Sequence, residues 1–130
     1  MTTTKPWPQE DLDVFGGAGE VKVSSVRRDG SLSRQRTVWI VRVGDELYLR
    51  SVNGSEAAWY RSTRSVHQGS LEAHGIARDV TWVDVDSTEN PDIDRAVDVE
   101  YARKYRGSTS AIKRINSPAA RSTTMRVDPR

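Results

Sequence analysis

Two short stretches rich in β-branched and aromatic residues, 38–43 and 47–52, are separated by Gly44 and Asp45, residue types that tight turns demand. With those two residues as the loop, Val43 faces Glu46. The pairing then runs outward through Val41 with Tyr48 to Trp39 with Arg50. Alternation predicts one apolar face of Val38, Ile40, Leu47 and Leu49, and a second face of Thr37, Trp39, Tyr48 and Arg50. A more polar hairpin is predicted from 20–26 and 33–37, turning at Asp29-Gly30. Residues 70–76 and 79–86 read as two further strands, the second alternating loosely about Val80, Trp82, Val83 and Val85.

Helical spacing appears in three places. Residues 8–15 put Leu12 and Phe15 on one side and close at Gly16-Gly17. A helix starts near Glu56, with Ser55 as its N-cap. The clearest follows Asn90 as cap and Pro91 at the first helical position, with Asp92 and Asp94 at the positive end of the dipole. Its apolar stripe is Ile93, Val97, Tyr101 and Tyr105, it stops at Gly107, and Glu100 and Lys104 are spaced for an ion pair. Residues 108–115 and 123–127 read as closing strands on either side of 117–120. About seven strands and two or three helices in this order predict a mainly β, α+β fold: a barrel-like antiparallel sheet flanked by helices. Residues 1–8 read as a flexible tail ordered only near Trp7, and 9–130 as a single domain.

Composition changes the picture mainly by exclusion. Lys and Arg number 20 against 18 Asp and Glu, a formal net charge of +2, which argues against a dedicated nucleic-acid binder. The chain has no cysteine, so disulfides, thiol nucleophiles and thiolate metal sites are out. No signal-peptide core or membrane span is visible, and a soluble cytoplasmic protein is the expectation. His67 and His74 have no partner at metal-ligand spacing. The carboxylates Asp79, Asp84, Asp86, Glu89, Asp92 and Asp94 lack the loop pattern of a calcium site and read as a solvated loop and a charged helix start. No Ser-His-Asp arrangement is defensible.

Binding chemistry is more promising. The segment from Ser51 through Asn53 and Gly54 to Ser55 leads from a strand end into a helix start, where backbone amides and the dipole favour anions, and Arg50 and Arg61 add charge. Trp39 and Arg50, taken alone, read first as a structural cation and ring pair, and it is the polar turn and helix start after them that shift the weight to binding. Arg34 and Arg36 share a face beside Arg27 and Arg28. They either converge on a phosphate or guard a sheet edge against aggregation.

The order RxxTxWxVRVGDxLYxRSxxG, then AWYR, a late YxxKY and a terminal TxRxxPR resembles a family of small, largely uncharacterised bacterial proteins that belong with the FMN-binding split barrels. It is similar to the deazaflavin-dependent nitroreductases and, more distantly, to the pyridoxamine 5'-phosphate oxidases. The resemblance spans 7–130 and implies an antiparallel split β-barrel and a homodimer pairing through the Trp39, Tyr48 and Arg50 face. It also implies an oxidoreductase that uses FMN or 8-hydroxy-5-deazaflavin on a small molecule. In those relatives a basic Gly-Ser hairpin meets the cofactor's phosphate or acidic tail, and this chain departs by placing Asp29 there. The expected cofactor residues are Arg34, Arg36, Thr37, Trp39, Arg50, Ser51, Asn53, Gly54, Ser55, Trp59, Tyr60 and Lys113. A split barrel repurposed for a non-redox small molecule is the alternative.

Overall fold

The computed structural model describes residues 5–86 and 88–130, so residues 1–4 of the expected tail lie outside the described residues. Helix α1 (Gln9–Gly17) is followed by strands β1 (Val21–Ser25), β2 (Arg36–Val38), β3 (Ile40–Val43) and β4 (Glu46–Leu49). A 3-10 turn (Gly54–Glu56) leads to α2 (Ala58–Val66) and the long pair β5 (Gln68–Ala73) and β6 (Ile76–Asp84). The chain ends through α3 (Pro91–Lys104), α4 (Thr109–Ile115), α5 (Pro118–Arg121) and β7 (Met125–Pro129).

All strands join one seven-stranded antiparallel sheet in the order β2-β1-β5-β6-β7-β4-β3. Its outermost strands, β2 and β3, are consecutive in the chain with only Trp39 between them. Two sheet edges joined by a single residue must lie side by side, since one residue spans at most about 3.6 Å. The sheet therefore curls into a nearly closed split barrel. The expected strand over 38–43 is thus two strands that change partner at Trp39: Val38 pairs with Val21, whereas Ile40 pairs with Leu49.

The Gly44-Asp45 hairpin forms in the expected register, Val43 opposite Glu46 and Val41 opposite Tyr48, with Gly44 at φ 62°. Ladder pairing ends at Ile40 with Leu49, so Trp39 and Arg50 are not strand partners. The β5–β6 hairpin turns on His74 and Gly75, both at positive φ, as a two-residue loop requires. Of residues 108–115, expected as a strand, Thr109–Ile115 are helical. With α5 they bring the described helices to five α-helices and one 3-10 turn, more than the two or three expected. No helix among the described residues is long and apolar enough to cross a membrane.

Two apolar clusters form, one on each side of the β3–β4 ribbon. Inside the barrel, Ile40, Leu47 and Leu49 meet Leu12, Phe15, Leu71, Trp82 and Val127. Trp7 joins them, edge-on to Phe15 with centroids 5.7 Å apart, and its indole N–H donates to the Val127 carbonyl at 2.8 Å. On the outer side Val41 and Tyr48 are covered by Val97 and Tyr101 of α3 and by Ile115 of α4. The face expected to stand bare for a partner is therefore covered by the chain's own helices.

Arg50 locks that covering layer down. It is 1% exposed, and its guanidinium donates to Asp94 Oδ1 at 2.8 Å, Asp98 Oδ1 at 2.5 Å, Asn116 Oδ1 at 3.0 Å and Thr124 Oγ1 at 2.9 Å. The Asp94 carbonyl, at 3.1 Å, accepts as well, and the cation stands 5.8 Å from the centroid of the Tyr101 ring. Asp98 also receives Arg121, so α3, α5 and the end of β4 share one charge-balanced cluster. Asp94, expected at a solvated helix start, is buried in it. The expected Glu100 and Lys104 pair is absent, because Glu100 accepts from Arg103 and Lys104 turns to a backbone carbonyl.

Two stability outcomes follow from these contacts. Arg50→Ala strands buried carboxylates and should cost about 3–5 kcal/mol, whereas Arg42→Ala, in the partly exposed pair with Asp13, should cost at most about 1 kcal/mol. Equal shifts of the urea midpoint would contradict this. A Cβ at Gly69 would stand 2.2 Å from the Ser24 carbonyl oxygen and 2.5 Å from Trp82 Cζ2. Gly69→Ala should therefore lose roughly 1–3 kcal/mol in the same assay, although alanine ordinarily suits a strand better than glycine does.

Candidate functional site

The barrel seam at Trp39 faces a cleft of about 340 Å³. One wall comes from β2 and the seam, with Arg36, Thr37, Val38 and Trp39, and another from the chain after β4, with Val52 and Asn53. Trp59 of α2 and Ala111, Arg114 and Ile115 of α4 complete the lining.

Trp39 is held in place from several sides. Its ring stacks on Tyr105 with centroids 3.8 Å apart and planes 6° from parallel, and its carbonyl accepts from the Tyr101 hydroxyl at 3.2 Å. Tyr105 is itself pinned, its hydroxyl donating to the Gly19 carbonyl at 2.9 Å, and burial pushes its phenol up to about 12. Neutral at working pH, it is a fixed backing plate for the indole. Trp59 packs against the inner core and stands edge-on to Tyr60, with centroids 6.3 Å apart. Both indoles are half-buried and line the cleft.

Charge enters from Arg36 and Arg114. Arg36 is exposed and has no ion pair or hydrogen bond from its side chain among the described residues. Arg114 donates one N–H to Asn53 Oδ1 at 2.6 Å, which orients the guanidinium and leaves its other donors for a ligand. The result is a pocket with indole and aliphatic walls and a cationic rim, within the size range of small-molecule sites. None of its lining residues is a carboxylate, histidine, cysteine, methionine or tyrosine.

Of the residues expected to bind a cofactor, the structure brings together Arg36, Thr37, Trp39, Arg50, Asn53 and Trp59. Arg50 nevertheless contributes no free charge, because its guanidinium is committed to Asp94 and Asp98. Its cation lies over Tyr101 rather than Trp39. The expected amide cradle is largely closed: the Ser51 N–H donates to Thr123 Oγ1 and the Gly54 N–H to the Ser51 carbonyl. The Ser51 hydroxyl is buried without a partner among the described residues, and Ser55 sits exposed in the 3-10 turn instead of capping a helix. Helix α2 begins after Ala57 with no side-chain cap.

Tyr60 points away from the cleft, its hydroxyl receiving Arg64, which also pairs with Asp84. Arg34, Arg61 and Lys113 are exposed and outside the lining. Asp29, in the basic hairpin, accepts from the Ser31 hydroxyl and amide, which hold its carboxyl below the usual range. Its charge is therefore spent on its own turn.

Val38, expected in the apolar core row, also lines the cleft, and Val52, Ala111, Arg114 and Ile115 join it from outside the expected cofactor set. Ala111, Arg114 and Ile115 fall at i, i+3 and i+4, one face of a helix, a signal that a strand reading of 108–115 conceals. Lys113 lies off that face.

Comparison with solved structures places the fold. HutZ, the heme storage protein from Vibrio cholerae, is 12% identical and superposes with a TM-score of 0.58 over 97% of this chain and 92% of its own. A pyridoxamine 5'-phosphate oxidase-related, FMN-binding protein from Nostoc punctiforme is 13% identical, with a TM-score of 0.54 over 99% of this chain and 82% of its own. An F420 reductase, 13% identical, gives 0.53 over 95% and 94%. The split barrel expected from the motifs is thus the fold observed, while identities this low carry the architecture alone. No curated protein matches the sequence. The family described as "Uncharacterized protein conserved in bacteria (DUF2255)" matches residues 11–127, nearly the whole barrel from α1 to β7, and the chain belongs to it.

Proposed function

We propose that this protein binds a flavin-class cofactor, FMN or a deazaflavin, in the Trp39 and Trp59 cleft and acts as an oxidoreductase on a small molecule. The observation that carries the reading is the meeting of two half-buried indoles with Arg36 and Arg114 around one hollow of about 340 Å³. A fused aromatic ring suits walls of indole, Val38, Val52 and Ile115, and a phosphate suits two guanidinium groups that are not consumed by buried carboxylates. The fold is shared with an FMN-binding protein and an F420 reductase, which supports the same class of ligand. Heme fits less well, because the lining lacks the His, Cys, Met or Tyr side chains that hold heme iron.

When bound, such a cofactor supplies the hydride chemistry. The protein's own part is then positioning. Trp39, fixed by Tyr105 and Tyr101, sets the plane against which a ring packs. Arg114, steadied by Asn53, and Arg36 fix the anionic end. The absence of an acid or base from the lining accords with chemistry carried by a cofactor.

The homodimer belongs to the same proposal, but its contact moves. Val52, 36% exposed on the cleft lining, and the two indoles beside it form the apolar surface that a second copy would cover. Sedimentation velocity should give twice the 14.6 kDa chain mass, and a monomer mass at all concentrations would end this part of the reading.

For the cofactor, titration followed by calorimetry should show binding of FMN or deazaflavin at micromolar concentrations. Arg114→Ala should weaken it roughly tenfold to a hundredfold, the loss of one charge-assisted contact of about 1.5–3 kcal/mol. If the wild-type protein binds neither at high micromolar concentration, the oxidoreductase reading fails and a non-redox small-molecule barrel replaces it.

A further inference from the structure

A second hollow, of about 520 Å³, shares no lining residue with the Trp39 cleft. It lies where the end of α1 meets the β3–β4 turn and the last turns of α3, and Arg42, Arg103 and Lys104 line it. Lys104 is the unusual member. Its side chain is half-buried, its Nζ donates to the Ile40 carbonyl at 2.6 Å, and the Tyr105 ring centroid lies 5.3 Å away.

Among the described residues no carboxylate pairs with Lys104. Glu100, one helical turn earlier, accepts from Arg103, and Asp13 of α1 accepts from Arg42 of β3. Burial, with the neighbouring Arg103 charge adding to it, lowers the Lys104 amine from 10.5 to about 8. A neutral amine keeps one N–H for the Ile40 carbonyl and presents a lone pair, which an ammonium lacks. Arg103 sits in a solvated pair, 70% exposed, while Arg42, 29% exposed, donates to the Gly44 carbonyl at 2.7 Å and to Asp13 at 3.0 Å and keeps its remaining nitrogen 3.7 Å from exposed Asp45, a loose contact that an incoming anion can replace.

We propose that this hollow is a capture site for small anionic carbonyl compounds, held by Arg42 and Arg103 and bound covalently at Lys104 as an imine. The Nζ lone pair forms the C–N bond as the carbonyl electron pair moves to oxygen, which takes up one of the two amine protons. The carbinolamine then loses water as nitrogen gives up its proton. Amine and carbonyl yield imine and water, with no oxidant or reductant involved. The charged and titratable groups that line the hollow or face the amine are Arg103, Glu100 and Tyr105 from α3 and the residue after it, Arg42 from β3 with Asp45 of the turn against it, and Asp13 from α1.

Glyoxylate with cyanoborohydride tests this on the full chain, since reduction fixes the imine as a secondary amine that peptide mass mapping locates. Lys104 should be labelled about tenfold or more faster than exposed Lys22 and Lys113 at pH 7.5, where burial leaves part of its amine neutral. Its labelling rate should level off above pH 8. Propanal, a neutral aldehyde, should lose most of that preference, and so should glyoxylate with the doubly substituted Arg42→Gln, Arg103→Gln protein, its fold checked by circular dichroism. Even labelling of all lysines overturns the proposal. So does a Lys104 preference that is the same for propanal and glyoxylate, which would mean a reactive amine without an anion site.

Discussion

The passage of the chain from one edge of the sheet to the other within a single residue is the constraint on which the rest of this molecule depends. Because β2 and β3 are outermost strands with only Trp39 between them, the barrel is closed by covalent geometry as much as by hydrogen bonds. The residue at that seam cannot take part in either ladder. Its carbonyl is satisfied instead by Tyr101 of α3 and its ring by Tyr105, the residue that caps that helix. The helix that covers the barrel is therefore also the helix that places one of the two indoles of the cleft. Fold and site are coupled at one position.

Arg50 plays the complementary part on the same helix. Asp94, Val97, Asp98 and Tyr101 fall on one face of α3 at i, i+3, i+4 and i+7, so an inward-facing stripe carries two carboxylates among apolar side chains. Carboxylates in such a place need a cation, and the end of β4 delivers one. In the sequence the same Arg50 follows a strand and precedes a polar turn, the setting of a ligand-binding arginine. What separates the two readings is the spacing of Asp94 and Asp98, forty-odd residues away, with only Asp94 noticed, as part of a charged helix start. Long-range charge pairing of this kind leaves no local trace.

Local patterns were legible. The Val43 to Glu46 register follows from Gly44-Asp45 and alternation. The Ile93, Val97, Tyr101 and Tyr105 stripe follows from helical spacing, and Leu12 and Phe15 turn inward as their spacing implies. The failures lie where pattern length runs short. Residues 109–115 make barely two helical turns, too few for period 3.6 to stand out from period 2, and a strand reading there points to Lys113 where the helix presents Arg114. The seam was hidden for another reason: apolar residues continue without interruption through Val38, Trp39 and Ile40, so nothing marks the change of strand partner. Half of the expected cofactor residues line the cleft, namely Arg36 and Thr37 of β2, Trp39 at the seam, Arg50 and Asn53 after β4 and Trp59 of α2, whereas Arg34, Ser51, Gly54, Ser55, Tyr60 and Lys113 do not.

The placement of the tryptophans has a further consequence for how the molecule reports on itself. Trp7 and Trp82 are sealed in the inner core, whereas Trp39 and Trp59 are half-buried at the cleft. The protein's emission is therefore divided into two populations with separate sensitivities. The sealed pair responds to loss of the core, and the cleft pair to whatever enters between β2, α2 and α4. A quencher too large or too polar to penetrate the barrel would address only the second pair, turning the native chain, without any label, into a gauge of occupancy that is distinct from its gauge of folding.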